Sequence, residues 1–304
     1  MHYIFIGKFF ANGNNHQVDS MSKFSIGVMV DSFRIPIHDA VVKAREVGAD
    51  GIQVYVVAGE MAVENMDAAK RREFRRHVEA NGLSISALCG DLGGHGFQLE
   101  KENEWKIAKS KAIVDLAVEL GTAVVTTHIG VIPEDASSPV YANQKAVCIE
   151  LGKYAEAHGV RFAIETGPEP AARLRDFLVD VGSRGIGVNL DPANLVMVQN
   201  DDPVQAVYTL KDFIVHTHAK DGVQYKPCDP VKVYDAFAEG GVEGLNIGEL
   251  FNELPLGEGS VDWNRYLAAL SEVGYHGYLT VEREVGANPE ADIRTAVNFL
   301  KERI

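Results

Sequence analysis

The chain has 304 residues, 46% hydrophobic and 24% charged, enough to bury the core of one barrel or of two smaller domains. Its formal net charge of −14 repels phosphate backbones and anionic lipid, which argues against nucleic acid or a membrane as partner. Cys89, Cys148 and Cys228 form no CxxC pair and suit a reducing cytoplasm, and no apolar run reaches the about 18 residues of a membrane span.

Residues 1–20 hold an apolar stretch too short and broken for a secretory signal, and read as an N-terminal extension. Met21 immediately precedes a clean strand, so the folded domain is placed at 21–304. From there, short β-branched runs alternate with stretches of helical period. The first strand is expected over Phe24–Val30, with a helix near His38–Val47. Strand Gly51–Val56 leads to a charged helix over Ala68–Asn81, and Leu83–Leu88 to Glu100–Leu120. Ala123–His128 precedes Val140–His158; Val160–Glu165 precedes Ala171–Gly182; Ile186–Asp191 precedes a short helix near Pro203–Leu210. Phe213–His218 is the seventh strand, and Tyr278–Glu282, followed by a helix near Glu290–Arg303, is the eighth. Glycine or asparagine punctuates most helix ends, as at Gly48, Gly121 and Gly182.

Eight such units with near-continuous apolar strands predict an α/β fold, a (β/α)8 TIM barrel in a single domain. An open doubly wound sheet is the rival, but the first turn, Asp31–Ser32–Phe33–Arg34, carries no GxGxxG. The glycine-rich connection from Asp221 to Val261 after the seventh strand is abnormally long and reads as part of the substrate enclosure.

Glu165, Asp191, His218 and Glu282 each end an apolar strand, and those four strands (the fifth to the eighth) are neighbours around a barrel. The C-terminal rim is where barrel enzymes hold their catalytic groups. One acidic residue at a strand end is more often a helix N-cap or a surface ion pair, and Asp191, followed by Pro192, suits a cap. Four on consecutive strands are hard to obtain by chance. Three converging carboxylates would repel one another unless a cation sat among them. The mixed oxygen and nitrogen donors predict one divalent metal ion, with Mn²⁺ first and Mg²⁺, Co²⁺ or Zn²⁺ as alternatives.

The segments IETGPEPA (164–171), GVNLDPANL (187–195), VHTHAKD (215–221), PLGEGSVDW (255–263) and GYHGYLTVERE (274–284) are similar to those of the xylose-isomerase-like barrel family of sugar phosphate isomerases and epimerases. The similarity runs from about Phe24 to the end of the chain. The resemblance implies metal ligation by Glu165, Asp191, His218 and Glu282, with His216 a neighbour. It also implies that Glu165 and Glu282 double as catalytic acid and base. Where ketose epimerases of the family carry a histidine three positions after the strand 6 aspartate, this chain has Asn194, which can hydrogen-bond a sugar hydroxyl but does not titrate.

The activity expected is that of a metal-dependent isomerase or epimerase of a sugar or keto-polyol, moving a proton through an enediolate held on the metal. The expected partner is a small-molecule carbohydrate, in a homo-oligomer if members that pair are a guide. His128, Asn194 and Lys220 are the candidate substrate contacts; a backbone-bonded rim histidine and a structural salt bridge are the plainer alternatives for His128 and Lys220. Arg283 should point away from Glu282 by strand alternation, Asp262 should cap a helix, Trp263 should pack, and Glu249 is a lid contact or a solvated charge. An inosose-type dehydratase is the alternative reaction. An AP endonuclease is disfavoured by charge and by missing ligands for further metals, and a non-catalytic sugar-binding barrel is the fourth reading.

Overall fold

The computed structural model describes residues 24–241 and 245–304, so the expected extension over 1–20 lies outside the described residues. In chain order the first part comprises β1 (Ser25–Met29), α1 (Ile37–Val47), β2 (Gly51–Tyr55), α2 (Ala68–Ala80), β3 (Ser84–Cys89), α3 (Glu100–Leu120), β4 (Val124–Thr127), α4 (Pro139–Ala157), β5 (Arg161–Glu165) and α5 (Ala171–Val181). It continues with β6 (Ile186–Leu190), the single turn α6 (Pro192–Asn194), α7 (Pro203–Leu210) and β7 (Ile214–Ala219). After β8 (Asp221–Gln224), α8 (Pro230–Glu239) and β9 (Phe251–Leu254), the barrel resumes with α9 (Trp263–Glu272), β10 (Tyr278–Val281) and α10 (Pro289–Lys301).

Parallel strands close in the order β1-β10-β7-β6-β5-β4-β3-β2, and β1 pairs with β2 to complete the ring. This is the expected TIM barrel, with β10 as its eighth strand. The strands are largely apolar because helices cover one side and the packed barrel interior the other; Val28, Ile52, Leu88, Phe162, Val188 and Leu279 are wholly buried. The helices supply the matching stripe. In α1, Ile37, Ala40, Val41, Ala44 and Val47 are the buried residues, at helical spacing. Gly48, Gly121 and Gly182 end their helices in the left-handed conformation, and Asp67, Ser138, Asp202 and Asp262 cap helix N-termini through their side chains.

The long connection after β7 is structured where the sequence suggested only a loop. β8 and β9 pair antiparallel, from Asp221 opposite Leu254 to Gln224 opposite Phe251, and α8 lies between them in sequence. Ala193, Met197, Val198, Val233 and Phe251 form a small apolar cluster separate from the barrel core. Asp221 ties this roof down: its carboxylate accepts from the backbone N–H of Gly222, Gly257 and Val261 and from the indole N–H of Trp263. Gly259 must be glycine for this, since a Cβ there would lie 2.0 Å from an Asp221 oxygen.

Candidate functional site

Strand register sets the site residues at one height. Glu165 is opposite Asn189, Asn189 opposite His216, and His218 opposite Thr280. Glu165 is the last residue of β5, Asp191 and Glu282 follow β6 and β10 directly, and His218 lies near the end of β7. The four expected ligands converge: each offers one atom, and these atoms all lie within 4.8 Å of one another. His218 Nδ1 is 3.3 Å from Asp191 Oδ2, 3.3 Å from Glu282 Oε2 and 3.6 Å from Glu165 Oε1. All four side chains are buried.

Each donor is oriented by its surroundings. Glu165 accepts from the amides of Asn189 and Asn194, both at 3.0 Å, one on each oxygen. Asp191 uses Oδ1 to cap α6, accepting from Asn194 N–H at 2.9 Å, which leaves Oδ2 for the centre. The cap reading and the ligand reading of Asp191 thus hold together. On the far side of the His218 ring, Nε2 faces the Asn189 amide nitrogen at 3.2 Å and Gln53 Oε1 at 3.1 Å. Gln53 is held in turn by donating to Thr126 Oγ1 at 2.8 Å. A metal-ligating imidazole needs an acceptor for its other N–H, and Gln53 is placed to be that acceptor.

Burial disfavours charge on Glu282, but His218 and Lys220 outweigh it and hold this carboxyl well below the usual range. Burial likewise opposes charge on His218, and Glu282 and Glu165 overcome it, raising the imidazole far above its ordinary value. The clustered carboxylates thus favour positive charge at this point. With His218 neutral, a divalent cation and the Lys220 ammonium together balance the three carboxylates, so the donor set fits such an ion by charge as well as by chemistry.

The remaining expected contacts surround this centre. Lys220 Nζ donates to Glu282 Oε2 at 3.1 Å and to Glu284, and lies 4.0 Å from Asp191. Asn194 has its amide committed to Glu165. His128 bonds Asp91 Oδ2 at 3.2 Å through Nδ1 and turns Nε2 toward Glu165 Oε1 at 3.7 Å. Burial pulls the His128 pKa down, but Glu165 and Asp91 override it, and the ring is pushed up to about 10. About a quarter of this side chain is open to the pocket, so water screens part of that effect.

His216 stands outside the cluster, bonded to Asn189 Oδ1 and Thr280 Oγ1, and burial first and His218 second keep it neutral. Arg283 turns away to Glu253 and Asp292, Asp262 caps α9, Trp263 is packed, and Glu249 is an exposed partner of Lys226.

Above the cluster lies a cavity of about 580 Å³ whose wall includes His128, Glu165, Asn194, Lys220 and Glu282 from the barrel and Tyr234, Phe237 and Phe251 from the roof. Gly167, at φ 139°, permits the close approach of Asn194 and Tyr234; a Cβ there would meet both at 2.6 Å. Gln53, Asn189, Asp91 and Tyr234 border the candidate site and were not among the site residues expected from the sequence. Only Asn189, two residues before Asp191 on a strand already assigned to the site, carried a usable signal.

Residues 41–303 match the family described as the xylose isomerase-like TIM barrel. The chain belongs to that family. A curated relative, an uncharacterised protein of Methanocaldococcus jannaschii, is 24% identical over 184 residues, which cover 56% of this chain and 54% of the relative. The chain thus spans about half the length of that relative. Among solved structures, the xylose isomerase domain protein of Planctomyces limnophilus is 26% identical with a TM-score of 0.74, covering 92% of this chain and 96% of the other. The probable 3-DHS dehydratase AsbF of petrobactin synthesis from Bacillus anthracis (19% identical, TM-score 0.72, 92% and 100% covered) shares the fold. So does a D-psicose 3-epimerase solved in the presence of D-fructose (17% identical, TM-score 0.70, 92% and 99% covered). No helix among the described residues is long and apolar enough to cross a membrane.

Proposed function

We propose that this protein isomerises or epimerises a sugar or keto-polyol, with Glu165, Asp191, His218 and Glu282 holding one divalent metal ion and Glu165 and Glu282 moving the proton. The observation that carries this reading is the convergence of those four buried side chains within 4.8 Å beneath a cavity. Of the ions such a donor set suits, Mn²⁺ is the first to test, with Mg²⁺, Co²⁺ and Zn²⁺ after it. When bound, the ion supplies Lewis acidity to neighbouring carbonyl and hydroxyl oxygens of an α-hydroxy ketone.

The chain's own residues do the rest. Glu165 and Glu282 approach the centre from β5 and β10, with β6 and β7 between them in the ring. A substrate seated between them therefore presents its acidic carbon to one carboxylate or the other. Asn189 and Asn194 fix the rotamer of Glu165, and Lys220 fixes that of Glu282. Lys220 also places a positive charge where an enediolate oxygen gathers negative charge. His128, Asn194 and Lys220 line the cavity as the substrate contacts.

In the test, Glu165→Gln and Glu282→Gln should each lose solvent deuterium exchange into substrate by about 10²-fold or more, with the fold intact by circular dichroism. Exchange retained by either variant removes that residue from the proton-transfer role.

A dehydratase is the second reading, favoured by His128. Its Asp91 partner and its opening to the pocket suit it to deliver a proton to a departing β-hydroxyl. Net loss of water with an ultraviolet-absorbing enone product would select this reading over isomerisation.

A further inference from the structure

The cavity has two unlike halves. Below are the paired charges; above is a wall of Met197, Val198, Tyr234, Phe237, Phe251 and Val285. Phe237 and Val285, 55% and 44% exposed, add open apolar surface to this wall. Tyr234 joins the halves: its ring meets His128 below at 6.1 Å and Phe237 above at 5.8 Å between centroids. At about 580 Å³ the space is of the size that encloses a ligand larger than a bare monosaccharide.

Charge narrows the occupant further. Lys220 and His128 are already engaged by Glu282, Glu284 and Asp91, and of the other carboxylates lining the space Glu253 is paired with Arg283 and Glu165 is held by two amides. A phosphate or carboxylate on the substrate would find no uncommitted cationic side chain among the described lining residues.

We propose that the substrate is an uncharged keto sugar or keto-polyol bearing an apolar group of about the size of an aromatic ring, which packs against the wall of Tyr234, Phe237, Phe251 and Val285. This rests on the proposed polyol chemistry at the metal centre and adds the substituent to it. The occupant is the substrate's own group because the wall is continuous with the floor through Tyr234, so a molecule seated on the floor already reaches it.

The test compares D-fructose and D-psicose with their 1-O-benzyl ethers, in calorimetric titrations against the Mn²⁺-loaded full chain. The ethers should bind at least about tenfold more tightly than the free ketoses. Phe237→Ser and Val285→Ser should each erase much of that gain while Mn²⁺ affinity, titrated separately, stays unchanged. Equal affinities, no measurable binding by any of the four compounds, or a gain that survives both substitutions overturns the proposal. So does a second copy of the chain seated over Phe237 and Val285, which would close the wall and equalise the affinities. The two readings fail separately. A benzyl preference without Mn²⁺ binding sinks the metal centre alone, and Mn²⁺ binding without the preference sinks the substituent alone.

Discussion

The floor of the cavity and its roof are built on opposite principles. The floor consists of strand ends from the closed barrel, whose register places Glu165, Asn189, His216, His218 and Thr280 beside one another, and nearly every polar atom there has a named partner. The roof is the β8–β9 hairpin and α8, resting on a small cluster of its own and leaving Phe237, Val231 and Tyr225 exposed. A buried polar site must be over-determined, because each unpaired group costs about 1–3 kcal/mol. A wall that sorts substrates by apolar contact needs no such network, and can be held by a few ties. Under the proposed function, the chemistry belongs to the barrel and the selectivity to the insertion.

That division breaks if the roof proves as firmly integrated as the floor, and Asp221 is where to strike. Asp221→Ala orphans the four N–H donors it now satisfies and should cost about 3–5 kcal/mol. If the regions are separable, amide exchange will rise in the hairpin and around Trp263 while strands β3 to β6 keep their protection. Uniform loss of protection across the barrel would show one cooperative unit instead.

The loops beside the floor are open to test by pH. Glu169 accepts from Ile132 N–H at 3.2 Å and ties the loop after β5 to the loop after β4. Burial, against the smaller pull of that hydrogen bond, pushes its carboxyl up to about 7 from 4.5. A carboxyl raised in the folded state stabilises the protein fully below about pH 4.5, and that contribution disappears as the pH climbs to about 7. The loss is about 3 kcal/mol, and Glu169→Gln should abolish it, keeping the hydrogen bond without the charge. Denaturant titrations of both proteins between pH 5 and about 8 will read the difference; parallel pH curves would show that Glu169 is solvated in solution.

How much of this was legible in the sequence follows the same divide. Glu165, Asp191, His218 and Glu282 stood out because a charge ending an apolar strand breaks a strong local pattern, and the ring of strands repeats that break four times. Gln53 sits in the middle of β2, where one polar residue among Gly51, Ile52 and Val54 looks like ordinary variation; its value comes from facing His218 across the barrel, 165 positions away. The roof was hidden for a different reason. β8 and β9 are four residues each, too short for a periodic signal, and a ten-residue helix, Pro230–Glu239, stands alone between them before Gly240 and Gly241. Gln53→Leu sharpens the comparison. It should weaken divalent metal binding about 10–100-fold by freeing the His218 ring, with little change in the benzyl preference. Unchanged metal affinity would mean that the imidazole holds its orientation without an acceptor for its Nε2–H.

The smallest effect expected belongs to the tie between the roof and the opposite lip. His95, in the loop after β3, lies 3.3 Å from Asp235 and 3.5 Å from Glu239, both on α8. All three side chains are partly exposed, so the contact is worth at most about 1 kcal/mol, and His95→Ala should barely move the melting temperature. The pocket should register the change where global stability does not. Released from this lip, α8 can carry Tyr234 and Phe237 away from the floor, which weakens ligands that touch the wall more than those that touch only the metal centre. The affinity ratio between a benzyl ketose and its parent is therefore the measurement to make on His95→Ala. A ratio that falls while Mn²⁺ affinity holds locates selectivity in the position of α8; an unaltered ratio assigns that position to the Met197–Phe251 cluster alone.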